Sequence, residues 1–458
     1  MKRSNAWCVA LGALMALCLA APVAAAARDD DKTVNEKILD ILLEKGDISP
    51  QRYEELREEA LAEKEAASLP QVASSPLSGW KVYWNNGTRI EREDGKVKVK
   101  FGGRVHYDTA ASSVTRGLQR MFPGSEGTGN DFRRARLFMS GAFGDHGIFK
   151  VQYDFSGQDA DFRDVYAGLQ KIPYLGTVRV GSFYEPQSIE MTTSSKYITF
   201  LERSLPVLAF TAERNSGIGF HNQLHDGRMT FHAGVFRNVD DSGEDFDNQG
   251  GYNAGFRITG VPVFRDEGEK VVHTGFWYSH QFRDNEMLRY DPDAESNTVG
   301  SLLNMPMIKI DGIDLIGGEL AVICGPFFFQ GETIHSFVNG SGSNSSNRWF
   351  YGTSVQAGAF LTGERKKYDQ KLGVIGRTKV LEPFSLEKGQ WGALEVAGRW
   401  SMLSLNDGSV RGGNLNNYTL GLNWYLYSNL RLMLNYVLAH RNGVGQAHIA
   451  QSRVSLDF

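Results

Sequence analysis

The chain has 458 residues, 41% hydrophobic and 22% charged, with 51 Gly, 13 Pro and a formal net charge of −4. Mean hydropathy is below zero, and beyond residue 27 no run reaches the ~18 apolar residues a membrane helix needs. A polytopic helical membrane protein is excluded. A secreted soluble β protein or a transmembrane barrel remains, because a barrel's lipid face occupies every second position and disappears in an average.

Lys2 and Arg3, the apolar run Val9 to Leu19, and Ala24-Ala25-Ala26 predict a secretory signal peptide over 1–26. Cys8 and Cys18 fall inside it, so the mature chain keeps Cys324 alone and no internal disulfide is expected. Residues 27–67 predict a helical, coiled-coil-capable segment in the periplasm. Val34, Ile38, Ile41 and Leu42 recur at helical spacing, Gly46 supplies a stop, and Ser49-Pro50 opens a second helix. Either an oligomerisation or cell-wall-facing module or a solvated hairpin without a partner fits this pattern. Residues 68–79, with Pro70 and Pro76, read as a linker.

From Trp80 the period changes to two. Val97, Val99, Phe101, Val105 and Tyr107 alternate with Lys96, Lys98, Lys100, Arg104 and His106. Tyr418 to Leu426, Leu430 to Leu438 and Val454 to Phe458 repeat the pattern, in runs of nine or ten where they are longest. That is the length that crosses a membrane at a tilt, and a final aromatic residue suits an outer-membrane barrel. Polar stretches at Asp240 to Gly250, Tyr290 to Gly300 and Asn339 to Asn347 predict long loops at one end and short turns at the other. The expected fold is therefore all-β: over 80–458, a transmembrane antiparallel β-barrel of about 16 strands. The Gly excess is assigned to turns and to small inward positions that keep a lumen open.

No HExxH, Walker loop, GxSxG elbow or Cys/His cluster is present, so no enzyme, metal or cofactor is expected. Residues 28–79 carry 13 acidic and 7 basic side chains, and 80–458 carry 40 of each. Net charge thus points to no nucleic-acid partner, and any charge preference must come from placement. In Arg133-Arg134-Ala135-Arg136, alternation sends Arg134 and Arg136 to the lumen and leaves Arg133 at the strand mouth. With Lys98, Lys100 and Arg104 on one face of an earlier strand, a basic ring becomes possible, and such rings select anions. Solvated lumen charges balanced by Asp108 and Asp131 are the competing reading.

Phe132 to Leu137, Lys150 to Phe155 (KVQYDF), Asp164 to Gly168 (DVYAG), Val178 to Pro186 (VRVGSFYEP), Thr193 to Pro206, Gly392 to Asp407 and Asn417 to Val437 together resemble the phosphate-selective porin family, the O and P type. The resemblance implies a homotrimer of 16-stranded barrels in a Gram-negative outer membrane. It also implies an inward-folded third loop and an Arg/Lys-lined constriction passing inorganic anions such as phosphate or polyphosphate. Arg104, Arg133 and Arg134 match the family's arginines and Asp164 its constriction aspartate. Lys196 and Arg203, with Arg214 after them, fall in the folded loop, and Arg136 joins the set by alternation. Asp164 would either weaken anion binding enough for release or serve as a counter-ion to an arginine. The ladder of closely spaced arginines in phosphate-specific members is missing; only Arg283 and Arg289 stand in a plausible loop. Two alternatives stay open: a porin for sugars or general solutes with Trp349-Phe350-Tyr351 as its slide, and an envelope tether with the barrel as anchor. The same aromatics also read as an interfacial girdle.

Overall fold

The structure is a computed structural model describing residues 79–458 except 158–159, 240–250 and 343–345, together with Leu42, Leu43, Lys45, Tyr53 and Leu56. The chain divides into two units, Met1–Ser78 and Gly79–Phe458. In the first, Leu42, Leu43, Tyr53 and Leu56 are helical, at positions where the spacing predicts helix. The signal peptide, the rest of that helical segment, the linker up to Ser78 and the 240–250 loop lie outside the described residues.

The second unit is one antiparallel sheet. Trp80–Trp84 (β1) and Thr88–Arg92 (β2) form a hairpin, and β2 pairs with the start of Val97–Val114 (β3). Next come Gly127–Phe143 (β4), Gly147–Asp154 (β5), Asp161–Ile172 (β6), Gly176–Tyr184 (β7), Arg214–Leu224 (β8) and Met229–Arg237 (β9). Tyr252–Arg265 (β10), Lys270–Leu288 (β11), Ile308–Cys324 (β12), Phe327–Gly340 (β13) and Arg348–Phe360 (β14) follow. Lys367–Asp369 (β15) and Val374–Gly376 (β16) pair only with each other. Ala393–Asp407 (β17), Val410–Tyr427 (β18), Leu430–Arg441 (β19) and Gly445–Asp457 (β20) complete the sheet. β20 closes on β3, with Asp457 opposite Arg104 and Ala447 opposite Val114. Of the 18 strands, β1 and β2 are an annex and the other 16 form the ring. A closed ring has no unpaired edge, the condition for a sheet in lipid. Among the described residues no helix is long and apolar enough to cross a membrane.

Alternation assigns the faces. Phe132, Leu137, Val180, Ile218, Val235, Leu420 and Leu434 are exposed on the outside, whereas Arg104, Arg136, Asp164, Glu319, Arg399 and Arg453 are buried inside. Ring strands run from 8 to 19 residues, mostly longer than predicted, because partners such as β3 and β4 keep pairing through polar Ser112 and Asn130. Trp349 and Tyr351 stack with His335 and Phe337 on the outer wall, as a girdle would, while Phe350 turns inward and is buried.

Of the predicted long loops, 290–300 and the described part of 339–347 fall at one end. Residues 185–213 (L3, between β7 and β8) and 289–307 (L5, between β11 and β12) fold into the barrel. Leu205, Val207 and Phe210 of L3 and Leu302, Leu303 and Met305 of L5 share an apolar core with Trp277, Leu315, Phe350, Leu403 and Leu415 of the wall. At the opposite end the connections are short, save 361–392, which carries β15 and β16 and enters the lumen from below. Arg257 donates to the carbonyls of Leu372 (3.1 Å) and Gly373 (2.8 Å), and Ile375 N–H to Thr193 Oγ1 of L3 (3.3 Å). The reading of inward glycines as space for an open lumen is corrected here. A Cβ on Gly421 would lie 2.9 Å from the Phe200 ring, and one on Gly352 would lie 2.7 Å from Pro206, so these glycines seat L3.

Candidate functional site

Two bulges aim side chains that strict alternation would send to lipid. In β4 the register shifts between His106 and Tyr107, so that Arg133 and Arg134 together oppose His106. Arg133 therefore belongs to the lumen and not to the strand mouth. In β6 a second shift sets Arg163 and Asp164 together opposite Gln152. A bulge places two consecutive side chains on one face, and here each delivers a charge inward.

L3 is latched to the wall through its own backbone. Ser188 Oγ accepts from Met191 N–H at the start of the short helix Ile189–Thr192 and donates to Glu332 Oε2 (2.6 Å), while Glu332 Oε1 accepts from Glu190 N–H (3.0 Å). Wall cations take the carbonyls. Arg399 donates to Glu202 O (2.9 Å), Arg431 to Ile198 O (2.9 Å), Arg453 to Leu201 O (2.5 Å), and Asn423 to Thr199 O (2.9 Å). Arg203 folds L3 on itself by donating to the carbonyls of Glu190, Met191 and Thr193. It is a structural clamp.

The remaining predicted residues separate into groups. Arg133 holds the L3 carboxylate Glu202 through two bonds (3.0 and 3.2 Å), Arg134 lies 3.8 Å from it, and Arg453 adds a third charge at 2.8 Å. Burial opposes ionisation of Glu202, yet the arginines outweigh burial and hold it well below the usual carboxylate range. Arg136 is paired with Asp154 at 2.5 Å. Asp108 is held by Arg453, and Asp131 accepts from Asn297 of L5. Arg104 and Asp164 instead face a partly open cavity of about 230 Å³ lined by β3, β5–β9, L3 and the inserted 361–392 segment. Lys150, Arg179 and Arg214 face it too, with Glu185 as the second carboxylate. Asp164 pairs with Lys150 and with Arg214 (2.9 Å). Among the described residues Arg104 has hydroxyl hydrogen-bond partners alone, Ser195 Oγ (2.6 Å) and Ser194 Oγ (3.4 Å). Glu185 accepts from Asn215 and Asn253 (both 2.6 Å), and burial pushes its pKa up, which weakens it as an anion.

Below the cavity, the Lys100, Lys150 and Lys196 ammonium groups surround one ring, Phe138, at 5.5, 5.8 and 6.0 Å from its centroid. Lys196 has Asp457 at 3.6 Å. Burial, opposed by Asp457 and reinforced by Arg104, Arg377 and Lys100, lowers its pKa to about 7. Lys196 is charged below that value and neutral above it. Anion-over-cation permeability is therefore expected to fall between about pH 6 and about pH 8, and reversal potentials of Lys196→Met should lose this dependence. An unaltered pH profile in the variant would assign the titration to another group.

Sequence reasoning passed over Lys150 and Arg179, although both lie in the quoted motifs KVQYDF and VRVGSFYEP. Counting inward positions from the strand pattern would have found them. Arg283, placed in a loop by the sequence, is in β11.

The sequence model of the family described as "phosphate-selective porin O and P" matches residues 99–458. An uncharacterised protein of Caulobacter vibrioides is 25% identical over 410 residues, which are 86% of this chain and 80% of that one. The barrel resembles OmpT, an outer membrane protein of Vibrio cholerae, with a TM-score of 0.50 at 13% identity, covering 79% of this chain and 98% of that one. The trimer form of that protein gives 0.50 at 12% identity, covering 79% and 99%. These likenesses to solved structures concern the fold. With the match spanning the whole ring, the chain belongs to the phosphate-selective porin O and P family and forms a porin channel of the outer membrane.

Proposed function

We propose that the chain passes small anions, phosphate or polyphosphate among them, by passive diffusion along the path of Arg104, Lys150, Arg179, Arg214 and Lys196. The observation that carries this reading is the imbalance at the cavity, where four cations face two carboxylates and Glu185 is weakened by burial. Arg104 and Arg179 have no carboxylate partner among the described residues, so their charge is available to a permeating ion. Arg133, Arg134 and Arg136 act one layer back, neutralising Glu202 and Asp154 so that these do not repel it. The family's name supports phosphate, and the trimer form of the Vibrio protein supports a homotrimer. Residues 1–26 serve export and the helical segment lies in the periplasm.

The test is a planar-bilayer reversal potential in a potassium chloride gradient, with phosphate then titrated against the chloride current. Chloride is expected to outrun potassium, and phosphate to block at millimolar concentration. A cation-selective channel would overturn the anion reading; anion selectivity without block would remove phosphate alone.

A further inference from the structure

Arg179 is the cavity cation without a polar protein partner among the described residues. Among the described residues it makes no hydrogen bond and no ion pair, and its Nε is buried without a partner. What surrounds its guanidinium is aromatic: the carbon lies 4.5 Å from the Phe183 centroid and 5.3 Å from that of Tyr166. Phe183 stands edge-on to Tyr166 (6.0 Å, 79°) and to Phe236 (5.2 Å, 70°), and all three rings line the cavity. The approach of these rings is permitted by Gly219, where a Cβ would lie 3.1 Å from the Phe183 ring. Arg214 repeats the arrangement, 3.8 Å from the centroid of Tyr184. His232 adds a buried Nε2 without a partner.

A compact inorganic oxyanion gains from convergent N–H and O–H donors and nothing from ring faces. A planar organic anion gains from both parts of this wall. Its carboxylate pairs with Arg179, while its ring packs on Tyr166 and Tyr184, the half-buried rings of the cavity wall, and loses water-exposed apolar surface. The volume also fits: about 230 Å³ is several times the ~30 Å³ share of one water molecule, room for a six-membered ring with its carboxylate. We propose that this cavity is a subsite for aromatic carboxylates, which it holds in preference to aliphatic carboxylates or inorganic oxyanions of similar charge. The inference rests on the anion-channel reading above and names the solute class that the aromatic shelf adds to it.

The experiment uses the full-length protein in planar bilayers, with benzoate, cyclohexanecarboxylate, acetate and phosphate each titrated against the chloride current. Benzoate is expected to half-block at about a tenfold lower concentration than acetate or phosphate, with cyclohexanecarboxylate between them. Tyr166→Leu should bring the benzoate-to-acetate ratio close to one, and Tyr184→Leu should lower it if the first variant does not assemble. Equal block by benzoate and acetate in an anion-selective wild-type channel overturns the proposal and leaves the channel reading intact. A channel without anion selectivity overturns the channel reading instead. A ratio unmoved by both ring variants would place the aromatic solute elsewhere and overturn the subsite.

Discussion

Arg399→Ala is expected to raise single-channel conductance and to expose L3 to protease while the barrel remains closed. Arg399 is one wall residue that reaches L3 and L5 together. Its guanidinium donates to Glu202 O, pairs with Glu295 at 2.5 Å and Glu190 at 3.3 Å, and lies 4.5 Å from the Phe200 centroid. Glu295 in turn accepts from Leu205 N–H (3.0 Å), Thr419 Oγ1 (3.1 Å) and Ser401. Truncation leaves two buried carboxylates without this cation, a change that costs about 3–5 kcal/mol in a buried pair. The strand ladder of β17 does not depend on the side chain, so the loss falls on the latch. Arg399→Lys keeps the charge but not the planar fork that serves a carbonyl and two carboxylates at once, and an intermediate conductance is expected. Wild-type conductance in the alanine variant would mean that the other latches, Arg431, Arg453, Asn423 and Glu332 among them, suffice to retain L3.

The latch also marks where sequence reading stops. Alternation in β3, β18, β19 and β20 is clean, so the all-β class, the ring and the inward face of Arg453 and Arg431 could be read from period two. Which L3 carbonyls those arginines hold could not, since these lie more than two hundred residues away. A carbonyl has no sequence signature. Bulges defeat the same logic locally: one inserted residue brings Arg133 and Arg163 inward, against the parity of their strands. The family resemblance supplied Arg133 nonetheless, because motif matching carries bulge and all. The entry of 361–392 from the turn end stayed unread. Its only cue is a gap between the strand patterns of β14 and β17, at an end where short turns are the rule.

Asp164→Asn is expected to strengthen phosphate block about tenfold while lowering phosphate throughput. This separates the two roles open for the carboxylate. Asp164 sits between Lys150 and Arg214 and faces the same cavity as Arg104. With its charge present, one negative charge is shared between the two neighbours and the cavity keeps a modest cationic excess. With asparagine, hydrogen bonding to Arg214 can persist, but the cavity gains one net positive charge toward a bound anion. At the effective dielectric of a partly hydrated site, an added charge at about 4 Å contributes up to about 4 kcal/mol before screening. A tenfold change in block, about 1.4 kcal/mol, is a conservative expectation. Conduction needs a solute that leaves as readily as it enters, so a deeper well slows transit even as selectivity rises. If Asp164 is only a counter-ion that positions Arg214, the outcome differs: Arg214 loosens, block weakens or stays level, and selectivity declines. Voltage-dependent residence times of phosphate in the two proteins decide between them, and a longer residence in Asp164→Asn would make the aspartate the group that sets release.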